Sequence, residues 1–146
     1  MKGMLDLLER AGARFADTIA DFDAARVARF DARKVERLMT FEGIVRNRLK
    51  VAATIGNAQA YLALQASGQS FGTFVWQFVG GQPQQHQRRS MSEVPAQTAE
   101  SDAMSRALKK SGFKFVGSTI CYAFMQASGM VNDHLVSCHR HAPLAK

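Results

Sequence analysis

Apolar residues recur at helical spacing along almost the whole chain, and the alternating runs that make half-buried strands are nearly absent, so the pattern predicts an all-α fold. Leu5, Leu8, Phe15, Ile19 and Phe22 mark the inner face of an opening helix over about residues 4–20. Short helices follow near 24–30 and 32–39, the second with Val35 and Leu38 inward. The longest pattern covers about 43–66, where Ile44, Val51, Ile55, Ala58 and Leu62 share one face and Arg46, Arg48 and Lys50 fall largely elsewhere. Phe71, Phe74, Val75 and Phe78 stand at i, i+3, i+4 and i+7 of a helix near 70–80, which Gly80-Gly81 and Pro83 end.

Residues 81–97, GQPQQHQRRSMSEVPAQ, are polar and without period, which predicts a long surface loop. Past it, Ser101 can cap a helix that turns Met104, Ala107 and Leu108 inward. Lys109 and Lys110 suit its C-terminal dipole, and Gly112 ends it. A second helix starts near Gly117, with Val116, Ile120, Ala123, Phe124 and Ala127 as its expected inner face. Between the two, Gly112-Phe113-Lys114-Phe115-Val116-Gly117 is a tight turn. The amides of Gly117, Ser118 and Thr119 have no intrahelical acceptor, so a phosphate can dock on them, with Lys110 and Lys114 adding charge. A glycine-capped helical corner without a ligand explains the same residues.

Composition narrows the picture only a little. The 146 residues, 47% hydrophobic and 21% charged with three prolines, fit one folded domain over residues 1–146 and exclude a disordered chain. Nineteen Lys and Arg against twelve Asp and Glu give +7, which suits a polyanion such as nucleic acid and equally a soluble basic domain. No apolar run is long enough for a membrane, and Asp6, Glu9 and Arg10 come too soon for a signal peptide; a cytoplasmic monomer is expected. Two cysteines make no disulfide framework. His134 and Cys138, four apart, share one face and can both bind one zinc ion, with His139 and His141 as candidate extras; unliganded surface side chains fit the spacing as well.

Several runs together carry a family likeness. They are Gly43-Ile44-Val45-Arg46-Asn47-Arg48, Ile55-Gly56-Asn57-Ala58, Phe74-Val75-Trp76-Gln77-Phe78, Ser101-Asp102-Ala103-Met104-Ser105, the turn from Gly112 through Tyr122, and Val131-Asn132-Asp133-His134. In combination the sequence resembles the DNA-3-methyladenine glycosylase I family, of the helix-hairpin-helix DNA glycosylases, over residues from about 8 to 138. The resemblance implies base-excision repair: a 3-methyladenine nucleotide is flipped out of double-stranded DNA and its N-glycosidic bond hydrolysed, leaving an abasic site. It implies that residues from about 98 to 128 form the helix-hairpin-helix, gripping phosphates through the turn from Gly112 through Thr119, which includes Lys114, Gly117 and Ser118; Lys110 is a further candidate from its charge alone. It also makes His134 and Cys138 two of four ligands of a structural zinc. Arg46 and Arg48, with Lys50, are a further candidate for DNA-backbone contact, although a solvated helix face accounts for them equally.

The likeness has gaps. Related glycosylases carry a catalytic aspartate where this chain has Asn132, and the neighbouring Asp133 is expected to cap the following turn. The family's N-terminal segment supplies a cysteine and a histidine to zinc, and a tyrosine, a glutamate and a tryptophan to the base pocket. Here the first cysteine is Cys121, the first histidine His86, the only tryptophan Trp76, and the tyrosines Tyr61 and Tyr122 are matched elsewhere. The chain therefore reads as lacking that segment, with the catalytic and base-recognising residues unassigned and zinc held weakly. A non-catalytic helix-hairpin-helix DNA-binding module is the alternative, and a basic helical interaction protein without a DNA role is a third reading.

Overall fold

A computed structural model describes residues 20–145, so most of the opening helix, with Leu5, Leu8, Phe15 and Ile19, lies outside the described residues. The described part is mostly helical, in the order α1 (Ala24–Val27), α2 (Ala32–Thr40), α3 (Arg48–Ala66), α4 (Phe71–Trp76), α5 (Ala99–Lys110), α6 (Ser118–Ala127) and α7 (His141–Leu144). Two short strands, β1 (Gln84–Gln85) and β2 (Val131–Asn132), pair in parallel. None of the described helices is long and apolar enough to cross a membrane.

Small polar side chains fix where five of these helices begin. Asp23, Asp31, Asn47 and Ser70 each accept the backbone N–H three residues on, from Arg26, Lys34, Lys50 and Thr73, and so satisfy a donor that the first turn leaves bare. Before α5 the cap is Thr98, not Ser101. Ser101 is the third helical residue and closes a reciprocal box, its hydroxyl accepting the Thr98 N–H while the Thr98 hydroxyl accepts the Ser101 N–H. The Asn47 cap also corrects the expected start of α3 near residue 43: Gly43 through Arg46 precede the helix, and Ile44 lies outside it.

The described residues group into two compact units. One runs to Ser67 and takes in Gly112–Lys114; the other holds Gly68–Ser111 and the chain from Phe115 onward. In the first, α1 and α2 pack on α3, with Ala20, Val27 and Ala58 as a buried cluster flanked by Ala24, Ala28 and Phe30. Leu38, Val51 and Ala53 are buried too, while Val35 is half-buried. Phe22, expected on an inner face, sits in the turn before α1 and is 67% exposed.

In the second unit α5 packs on α6, and Met104, Met125 and Met130 are fully buried. Phe74 and Val75 are buried on α4, with Phe78 edge-on to Phe74 at 5.9 Å between ring centres. The expected face of α6 is wrong by about one residue. Cys121, Tyr122 and Met125 are inside, whereas Ile120 is 61% exposed and Phe124 is 40% exposed. Both faces of this helix are apolar, so periodicity could not choose; burying Tyr122 requires a partner for its hydroxyl, and Asp133 provides one.

The predicted loop over 81–97 is likewise more ordered than its composition suggested. Gln84 and Gln85 pair with Val131 and Asn132, Arg88 bridges to Leu135, and Met91–Glu93 form a short 3-10 turn. With no alternating pattern to announce it, β1 depends on main-chain bonds to a distant partner: Gln84 N–H to Met130 O at 2.9 Å and His86 N–H to Asn132 O at 3.2 Å.

Candidate nucleic-acid interface

The turn between α5 and α6 begins with Gly112 at φ 91°, a left-handed conformation that glycine adopts without strain. Phe113 is buried and Lys114 is exposed. Asn57 on α3 meets the main chain of Lys114 twice: its Nδ2 donates to Lys114 O at 3.1 Å, and its Oδ1 accepts the Lys114 N–H at 2.8 Å. Phe115, a non-glycine at φ 57°, is 57% exposed.

At the exit of the turn, the Val116 carbonyl accepts from the buried Ser105 hydroxyl at 2.6 Å and from the Cys121 thiol at 3.5 Å. Burial pushes the Cys121 thiol up, which keeps it protonated and inert as a nucleophile. Gly117 then occupies the N-cap of α6 without a side-chain cap. The amides of Gly117, Ser118 and Thr119 have no protein acceptor among the described residues. Gly117 has φ −64°, and a Cβ there would meet nothing within 4 Å, so neither conformation nor crowding demands glycine. Of the predicted site residues, Lys110, Gly117, Ser118 and Thr119 belong to the second unit, and Gly112 and Lys114 to the first.

Arg46 is exposed ahead of α3. Arg48 instead grips Glu36 in a forked pair, Nη1 to Oε1 at 2.7 Å and Nη2 to Oε2 at 3.1 Å. These hydrogen bonds, and the charge of Arg48 behind them, hold the Glu36 carboxyl below its ordinary range. Much of the charge offered at this point is thus already answered.

Asp133 does not cap a turn. It is buried and accepts from Tyr122 Oη, from His86 Nδ1 at 2.8 Å, from Arg88 Nε at 3.1 Å and from Gln126 Nε2 at 3.2 Å. Burial alone would raise its pKa, but these hydrogen bonds outweigh burial and hold the carboxyl below its ordinary value. Burial, then the bond to Asp133, push the Tyr122 hydroxyl well above its usual range. The turn cap is Asn132, whose Oδ1 accepts the His134 N–H at 3.3 Å while its Nδ2 donates to Gln85 Oε1 and His141 O. Sequence reading missed this network because His86 and Arg88 lie 47 and 45 residues from Asp133, in a segment without period.

His134 Nδ1 and Cys138 Sγ lie 3.6 Å apart. Two ligands of one tetrahedral zinc, with Zn–S about 2.3 Å and Zn–N about 2.05 Å, stand about 3.5 Å apart, so these two fit the ion. No cluster of three or more His, Cys, Asp or Glu suited to a metal occurs among the described residues. His141, a candidate extra, is buried and its Nε2 donates to His86 O at 2.9 Å.

A cavity of about 410 Å³ opens in the first unit between Phe22, Val27, Leu38, Ile44, Val51 and Ile55. Among the described residues, its polar side-chain lining is Lys50 and Thr54.

These helices and the uncapped start of α6 define a mostly helical protein. The methyladenine glycosylase family model matches residues 6–141, and the chain belongs to that family. It is 56% identical over 117 residues to the DNA-3-methyladenine glycosylase 1 of Escherichia coli K12, covering 80% of this chain and 63% of that protein, so it spans less than two thirds of that curated relative. A crystal structure of a 3-methyladenine DNA glycosylase I superposes with a TM-score of 0.86 at 49% identity, covering 90% of this chain and 72% of that one. A variant of such an enzyme in complex with 3-methyladenine superposes at 0.83 with 32% identity, covering 90% of this chain and 71% of the other.

Proposed function

We propose that this chain acts in base-excision repair on double-stranded DNA carrying alkylated bases, with hydrolysis of the N-glycosidic bond of 3-methyladenine as its reaction. The observation that carries the reading is the start of α6, where three amides without an acceptor among the described residues begin at Gly117, a glycine that neither conformation nor crowding demands. In a chain 56% identical to a glycosylase, that opening suits a DNA phosphate approaching the main chain. The helix-hairpin-helix is then α5, the turn and α6. Gly112, Lys114 and Lys110 shape and charge the turn, and Gly117, Ser118 and Thr119 supply donors.

The chemistry asks little of an acid. 3-Methyladenine is cationic in the nucleotide and departs as a neutral base, and its damaged pairing lowers the cost of flipping. The commitment of Asn132 and Asp133 to internal hydrogen bonds fits a site that uses neither as a proton donor. The same commitment favours a second reading, DNA binding without base release. Incubating the chain with methylated duplex DNA and assaying for free 3-methyladenine decides between them: release supports the glycosylase, and binding without release supports the module.

His134 and Cys138 are proposed as two ligands of a structural zinc, on the strength of their 3.6 Å separation. Such an ion would tie their loop together and contribute to folding. Arg46 remains a candidate for DNA-backbone contact, and Arg48 a weaker one because Glu36 already holds it.

A further inference from the structure

We propose that Asn57 is a positioning residue for DNA binding: its side-chain amide clamps the main chain of Lys114, so that the ammonium is presented to a phosphate from a fixed base. The inference rests on the proposed DNA contact at the hairpin. Asn57 lies inside α3, and 57 residues separate it from Lys114. It donates to one main-chain group of that residue and accepts from the other, at 3.1 Å and 2.8 Å. A primary amide is the side chain that offers a donor and an acceptor side by side, as an adjacent β-strand does.

The clamp acts on Lys114 itself, between the buried Phe113 and the Val116 carbonyl that Ser105 and Cys121 hold. Gly112 ahead of it is left-handed without strain, but Phe115 behind it is a left-handed non-glycine, a sparsely populated conformation that the surroundings must enforce. Lys114 itself stays exposed, so both bonds act on its main chain and leave its side chain to solvent. Without the clamp, the cost of ordering that residue offsets what one phosphate contact returns, so the contact is lost, at about tenfold in affinity.

The test compares Asn57→Ala, Lys114→Ala and the double variant in the full chain, by fluorescence anisotropy with a duplex oligonucleotide across a salt series, with melting curves alongside. Alanine is a better helix former than asparagine, so α3 should persist; Asn57→Ser makes the same comparison if Asn57→Ala does not fold. Each single change is expected to weaken binding and to flatten the log–log salt slope by about 0.9, the contribution of one phosphate. The double variant is expected to bind no worse than Lys114→Ala alone, because Asn57 acts through Lys114. A slope that Lys114→Ala flattens but Asn57→Ala leaves intact overturns the role of Asn57, and so does additive loss in the double variant. If Lys114→Ala itself changes nothing, the phosphate contact at Lys114 is refuted, and the inference goes with it.

Discussion

Removing one oxygen from the buried network is the sharpest probe of how the second unit holds together. Tyr122→Phe keeps the ring, which is 2% exposed, and deletes only the hydroxyl that donates to Asp133. No sizeable cavity results, so the cost is the lost hydrogen bond to a carboxylate, about 1.5–3 kcal/mol. Asp133 keeps His86, Arg88 and Gln126, so the loss stays below the 3–5 kcal/mol, roughly, of a buried charge stripped of its partner. For a chain of this size about 2 kcal/mol corresponds to a drop in Tm of roughly 4–8 °C, measured by calorimetry at neutral pH. Asp133→Asn, which leaves Arg88 and His86 facing a neutral amide, should cost more, and the double variant should show coupling of about 1–2 kcal/mol. A change under about 0.5 kcal/mol for Tyr122→Phe, or strict additivity with Asp133→Asn, refutes the network as a stabilising unit.

Acid and base should both loosen it, in opposite ways. Asp133 has a lowered pKa in the folded chain, so its contribution is present above the ordinary carboxylate value and is lost as pH falls through the depressed one. Tyr122 has a raised pKa, so its contribution is present below the ordinary tyrosine value and is lost as pH climbs from there through the raised one; melting curves across pH check both arms. Gly117→Ala should leave Tm within about 1 °C, since nothing lies within 4 Å of the added Cβ, yet weaken duplex binding by obstructing the approach to the amides; unchanged binding moves the contact elsewhere. Lys114→Glu should weaken binding to all duplex sequences alike. Zinc titrated against the chain should bind weakly, and His134→Ala should abolish what binds; one tightly held ion per chain by elemental analysis contradicts a two-ligand site.

Sequence spacing located the helices from α1 to α6 because each buries a stripe, and Leu38, Val51, Ala58, Phe74, Met104 and Leu108 are all buried as expected. It failed where hydrophobicity gave no direction. Residues 120–125 are apolar all round, and a hydrogen bond to Asp133 selects which face turns in. It failed again at 84–88, whose strand is built from main-chain bonds to residues far along the chain and carries no local signal. At the candidate interface, Gly117 and the bare amides were legible from helix geometry alone. The Asn57 clamp was not, because a polar residue on a helix looks the same whether it faces water or a neighbouring turn.

The parallel pairing of Gln84–Gln85 with Val131–Asn132 sets a timetable for biosynthesis. A ribosome adds residues at about 5–20 per second, so the amides of Gln84 and His86 wait a few seconds, roughly, after translation before their acceptors exist. Over that interval the stretch is an open target for proteases and chaperones. A nascent-chain cleavage pattern centred there, vanishing once residue 132 has emerged, is the footprint this delay should leave.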